Sequence, residues 1–218
     1  MTTTTYDQFL VEVIPYVRDV PEVVAIQAVR NACIEFCEET RYLQVDNDPV
    51  ALITGQSSYD LDADTGYVVI DVVEAWVGDQ FLVPKSVEQL TKIYRGNDWR
   101  TMKGNPYYYY RSRMASLNLV PTPQVPSAIS QSFLNCRVAV APSRSSTSVD
   151  SDLYERFLEV IGFGARARLY GTVNQPYYDP QATLDYRKRF NDEIADVRTR
   201  VNKGLSRASV AIEFQRVV

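Results

Sequence analysis

Leu153-Tyr154-Glu155-Arg156-Phe157-Leu158-Glu159-Val160-Ile161-Gly162-Phe163-Gly164-Ala165-Arg166-Ala167-Arg168-Leu169 sets Leu153, Phe157, Ile161, Ala165 and Leu169 at every fourth position. That recurrence is one face of an α-helix. Gly162, Gly164 and Ala167 leave room for a second helix to come close. Such a helix needs helical neighbours, and both ends of the chain supply them.

On the C-terminal side, Asn174 to Tyr178 turns the chain and Asp179-Pro180 starts a last helix. Tyr186, Phe190, Ile194, Val197 and Val201 mark its apolar face, and Lys203-Gly204 ends it. At the N-terminus, Tyr6 to Val17 begins as a helix that Pro15 should end or bend. Pro21-Glu22 then opens a second helix to about Glu39, with Ile26, Val29, Cys33 and Phe36 on one face.

From Asn47 the texture becomes that of a sheet. Short β-rich runs occupy 50–54, 57–62 and 68–77, and Val77-Gly78-Asp79-Gln80 reads as a hairpin turn leading to Phe81–Val83. Ser86 with Gln89 forms a capping box for a short helix ending near Tyr94. Leu117 and Leu119 alternate with Ser116 and Asn118, as in a half-buried strand, and the proline-rich 121–126 is a loop. Leu134, Cys136, Val138 and Val140 make the clearest strand, and the polar stretch 142–152 closes the region. The expected fold is α+β: a helical bundle from residues 1–45 and 151–204, an inserted antiparallel β lobe at 46–150, and an extended C-terminal arm at 205–218.

Composition removes several functions. The 218 residues carry no histidine, the commonest general base and metal ligand. The net charge of −4 projects no basic field towards nucleic acid, and what basic excess exists is C-terminal. Three cysteines and a threonine-rich start without leader features point to a reducing compartment without disulfides. The longest apolar run, around residues 66–77, is interrupted by Asp71 and Glu74 and is far too short to span a bilayer, so the expectation is a soluble protein.

Cys33, Cys37 and Cys136 lack the spacing and fourth ligand of a metal site and read as small buried hydrophobes. Asp60, Asp62 and Asp64 miss the calcium-loop pattern and read as solvated turn residues. The mixed charges of the last helix read as a solvated, ion-paired surface. No catalytic residue, metal or cofactor is expected.

Asn105-Pro106-Tyr107-Tyr108-Tyr109-Tyr110-Arg111 poses a choice between a base-stacking platform for single-stranded nucleic acid and a strand of sheet. Alternation puts Tyr107, Tyr109 and Arg111 on one face and Tyr108 and Tyr110 on the other, so the four rings cannot meet one ligand. One pair is expected to pack within the sheet and the other to contact a neighbouring subunit or the tail. A single-strand-binding module is the alternative.

A series of segments in order carries a resemblance. It comprises Tyr6-Asp7-Gln8-Phe9-Leu10 with Pro15-Tyr16-Val17, the helix from Pro21 to Glu38, Asn105-Pro106-Tyr107-Tyr108-Tyr109, and Leu117-Asn118-Leu119-Val120-Pro121-Thr122-Pro123. Ala141-Pro142-Ser143-Arg144-Ser145-Ser146, Leu153 to Leu169, and Gln175-Pro176-Tyr177-Tyr178-Asp179-Pro180 follow. From about Tyr6 to Ile212 the chain resembles the head-to-tail adaptor (connector) proteins of tailed bacteriophages. The resemblance implies a virion structural protein without catalytic residues, forming a twelve-fold ring under the portal at the capsid-tail junction. Its partners would be the portal protein, a tail or nozzle protein and itself, with viral DNA passing through the channel. Leu205, Val210, Ile212 and Phe214 are then expected to contact the portal or a neighbour, because this alternating stretch follows a helix stop and has few local partners.

Overall fold

The computed structural model describes residues 2–95, 98–124 and 132–204. It divides into two compact units, one built from the chain up to Tyr42 and from Arg144 onward, the other from Leu43–Ser143.

The first unit is helical. A short 3-10 helix, Tyr6–Glu12, ends before Pro15, and turns carry the chain on instead of a longer helix. Helix α1, Glu22–Thr40, starts after Pro21, whose extended backbone places it just outside the helix. Arg41, left-handed at φ 53°, closes α1 with its N–H on the Cys37 carbonyl. In the second unit α2 spans Val87–Ile93. Back in the first, α3 is Ser151–Tyr170 and α4 is Pro180–Asn202.

The Asp150 carboxylate accepts from the Asp152 N–H at the start of α3, and Asp179 accepts from Gln181 and Ala182 at the start of α4. The expected regular α3 bends at Phe157 (φ −128°, ψ 19°), whose ring packs 4.8 Å from those of Phe36 and Tyr42. Phe9, Val29, Phe36, Leu153, Ile161, Phe190, Ile194 and Val197 fill this unit's core. The periodic faces named from sequence are the faces that turn inward.

Thr3–Thr5 forms a two-stranded antiparallel sheet with Ser148–Asp150, so the polar stretch after Pro142 contains a strand. β-Branched threonines suit that conformation.

In the second unit, a five-stranded antiparallel sheet runs in the order Gln44–Asp46, Phe133–Pro142, Tyr67–Val77, Gln80–Phe81. Val50–Ala51 also pairs with the Phe133 end. The Gln44–Asp46 strand begins before the expected change of texture at Asn47. Gly78 adopts φ 57° in the hairpin, as its position requires.

The hairpin pairs only as far as Phe81, not Val83. Beyond the Leu82 N–H bond to the Ala75 carbonyl, Val83–Pro84 crosses to a second, four-stranded sheet and pairs parallel with Tyr108–Tyr109. Pro84 sits on the last strand of that sheet, where a missing N–H breaks no ladder. The order there is Ser58–Asp60, Ser116–Val120, Tyr108–Tyr110, Val83–Pro84. Ser116–Val120 is buried on both faces rather than half-buried, with Asn118 satisfied by the Ser112 hydroxyl at 3.1 Å. The expected capping box of α2 forms through Ser86 and Gln89.

Candidate interaction surfaces

Within the four-stranded sheet, Tyr108–Tyr110 lies between Ser116–Val120 and Val83–Pro84. The strand starts at Tyr108, so Tyr107 stands just before it and does not share the environment of Tyr109. Tyr107 is 49% exposed, whereas Tyr109 is buried. Burial, reinforced by the charge of Asp71, pushes the Tyr109 hydroxyl up to about 12.

Tyr108 and Tyr110 turn to the other face and pack with Tyr94 and Met102 around Leu90, Trp99 and Val120. Tyr110 meets Trp99 edge-on at 5.3 Å and Tyr108 meets Tyr94 edge-on at 6.4 Å, favoured geometries for aromatic quadrupoles. Lys85 and Arg100 lie over Tyr108 and Trp99. α2 is thus held against the sheet by rings of the tyrosine run, and only Tyr107 offers an open face.

Arg111 is engaged inside the same unit. Its guanidinium donates to Asp71 at 2.8 Å, to the Ile70 carbonyl at 3.3 Å and to the Met114 carbonyl. Asp71 in turn accepts from the Val72 N–H. This network ties the 111–114 turn to the Tyr67–Val77 strand.

In the helical unit, Glu35 of α1 accepts from Arg168 of α3 and from Arg187 of α4, the latter through both oxygens at 2.6 and 3.0 Å. Arg198 donates to the Glu39 carbonyl at 2.7 Å and to its carboxylate. Two cations of α4, Arg187 and Arg198, therefore join α4 to α1 instead of pairing along their own helix. Arg166, a charged residue that the periodicity had placed on no special face, is 3% exposed. It lies over the rings of Tyr16, Tyr186 and Phe163.

The sequence profile of a family described as SU10 adaptor protein matches residues 4–212. The chain belongs to the SU10 adaptor protein family, a phage head-to-tail adaptor family. No curated protein matches it.

Several segments that carried the resemblance have defined places in this SU10 adaptor family member. Pro15-Tyr16-Val17 supplies the ring over Arg166 and a carbonyl that accepts from the Tyr170 hydroxyl at 2.6 Å. Ser146 of the 141–146 segment bonds the Tyr6 hydroxyl at 2.6 Å. Cys33, Cys37 and Cys136 are free and buried. Burial raises all three thiols, that of Cys136 to about 12. Among the described residues no group of cysteines and carboxylates has metal-binding geometry, and no helix is long and apolar enough to cross a membrane.

Asp60, Asp62 and Asp64 are exposed and line a cleft of about 250 Å³ with Asp46 and Asp48. Phe81, which sequence reading treated only as the far side of a hairpin, is 66% exposed. A phenylalanine two residues beyond the Gly78-Asp79 turn is the available signal. Leu205, Val210, Ile212 and Phe214 lie outside the described residues.

Proposed function

We propose that the chain is a structural subunit of the virion that assembles as a twelve-fold ring under the portal, joins the capsid vertex to the tail and lets DNA pass through its centre. The observation that carries this reading is membership of a head-to-tail adaptor family over residues 4–212. A role in structure rather than catalysis follows the same family. The proposed partners are the portal protein, a tail or nozzle protein and further copies of the chain.

Physical features support the reading. A closed ring of one chain needs two different surfaces on each copy, and a chain made of two distinct compact units has them. A net charge of −4 suits a conduit that must not hold DNA by its phosphates. Residues 205–218, with Leu205, Val210, Ile212 and Phe214, act as an arm to the portal or a neighbour. Within the tyrosine run, Tyr107 is the ring left to meet a subunit or tail protein; Tyr108, Tyr109, Tyr110 and Arg111 support it from inside.

Light scattering of the purified chain, alone and mixed with the portal of the same virion, tests the proposal. The expected outcome is a portal complex whose mass corresponds to a ring. A chain that stays monomeric and leaves the portal's mass unchanged would reject it.

A further inference from the structure

We propose that the solvent-facing side of the five-stranded sheet receives residues 205–218 of a second copy of the chain, an assignment that rests on the adaptor reading and gives its arm a docking surface. Strand register defines the surface. Asn135 lies opposite Trp76, and Trp76 opposite Phe81, so the three side chains share one face. Phe133 is two residues from Asn135 and therefore on that face too, as a diagonal neighbour of Trp76. The opposite face is the buried one, carrying Leu134, Cys136 and Ala75.

The result is an aromatic stripe open to solvent. Phe81 is 66% and Phe133 38% exposed, and the Phe81 and Trp76 rings lie 6.1 Å apart. The next row of the same face is charged: Arg137 donates to Asp46 at 2.7 and 3.3 Å and stands 3.7 Å from Glu74. Aromatic anchors beside a polar rim are the composition of a protein contact.

Size and charge select the occupant. Three aromatic side chains of about 150–250 Å² each, all partly covered, fall short of the roughly 800 Å² that each partner of a stable globular pair contributes. The stripe fits a strand-sized segment instead. Two carboxylates flank the single guanidinium, and Asp46 leads on to the acidic cleft of Asp48, Asp60, Asp62 and Asp64, so the surface favours a basic partner.

Residues 205–218 read Leu-Ser-Arg-Ala-Ser-Val-Ala-Ile-Glu-Phe-Gln-Arg-Val-Val. Val210, Ile212 and Phe214 recur at the two-residue period of a strand, and Arg207 and Arg216 flank them against one Glu213. Fully extended, the segment reaches about 46 Å and its alternating core about 20 Å, enough to cross a sheet of this size. Donation from one copy to the sheet of the next uses two different surfaces, which is the head-to-tail arrangement a ring requires.

The test uses the full chain with p-benzoylphenylalanine in place of Phe214, prepared in isotopically light and heavy forms, mixed and irradiated. Expected are light-to-heavy cross-links ending on the 80–81 or 133–135 segments. Phe81→Ser should lower their yield about tenfold, the weight of one interface aromatic, without altering the thermal melt of a residue already exposed. Cross-links confined to single chains, cross-links to the helical unit, or none between chains in any assembly state would each overturn the assignment. Portal binding measured on the same preparations separates the two readings. Binding without sheet cross-links rejects the docking surface alone, and sheet cross-links without portal binding reject the adaptor role alone.

Discussion

Gly164 of α3 lies so close under Phe190 of α4 that a Cβ at residue 164 would stand 2.9 Å from two atoms of the ring and 3.0 Å from the Cβ of Ala32. Three helices meet at this glycine. Gly164→Ala gains about 1 kcal/mol of helix propensity but overpacks a contact with the fully buried Phe190 ring and the Ala32 Cβ, at about 1–3 kcal/mol. The net expectation is a loss of about 1 kcal/mol in denaturant unfolding, and a much larger loss for Gly164→Leu. Phe190→Leu should recover part of the Gly164→Ala loss, since the two changes share one space. Strict additivity of the pair would contradict the close approach.

Arg166 is buried and, among the described residues, pairs with the carboxylate of Glu12. Its Nε donates to the Gly162 carbonyl at 3.1 Å and its Nη2 to Glu12 at 3.3 Å, while the guanidinium lies 4.1 Å from the centre of the Tyr16 ring and 4.8 Å from that of Tyr186. Glu12→Gln leaves a buried cation without its counter-charge and should cost about 1–3 kcal/mol. Arg166→Met, apolar and similar in length, should make Glu12→Gln nearly neutral when the two are combined. If Glu12→Gln costs as much in the Arg166→Met background as alone, the pair is not what holds the 3-10 segment to α3.

What could be read from the sequence followed the strength of its periodicity. α1, α3 and α4 have long apolar repeats, and most of the residues that bear them are buried, with Ile26, Phe157, Tyr186 and Val201 half-buried. The Gly78 turn and the Ser86 cap were legible because each depends on one or two residues with a local mechanism. The Thr3–Thr5 strand depends on Ser148–Asp150, about 145 positions away, and nothing local marks it. At the bend, Phe157 packs against rings of Phe36 and Tyr42 that arrive from another segment, and no local pattern marks it. Val83–Pro84 leaves its hairpin because a different partner, Tyr108–Tyr109, is present, which no property of residues 81–84 reveals. The aromatic stripe was hidden for the same reason: Trp76, Phe81 and Phe133 become neighbours only through strand register.

Stability should fall at high pH through buried hydroxyls and thiols, among them those of Tyr42, Tyr109 and Cys136. The Tyr42 hydroxyl donates to Asp152, and burial followed by that carboxylate raises it to about 12; burial raises Tyr109 and Cys136 to about 12 as well. Each holds its proton more tightly when folded than the roughly 10 of a free tyrosine or 8.5 of a free thiol. Their contribution is therefore complete below those values and is lost as pH rises towards 12. Asp152 behaves oppositely. Its pKa is lowered by the Tyr42 hydrogen bond and by Arg156, so its contribution is present above about 4 and lost as pH falls through the folded value. Tyr42→Phe should flatten the alkaline side of a melting-temperature profile, and Asp152→Asn the acid side. Unchanged slopes in both variants would rule out this pair as a source of the pH dependence.

The tyrosine run gives three separable expectations from one stretch of chain. Tyr109→Ser removes a buried ring between two strands and should cost about 3–5 kcal/mol. Tyr108→Ser and Tyr110→Ser open the cluster of Leu90, Trp99 and Val120, and should loosen α2 first, seen as faster amide exchange in Val87–Ile93 than in the five-stranded sheet. Tyr107→Ser, at an exposed position, should change stability by less than about 0.5 kcal/mol. A defect of Tyr107→Ser in binding portal or tail proteins, with folding intact, would mark that ring as contact surface. Equal destabilisation by all four substitutions would contradict the burial order on which these expectations depend.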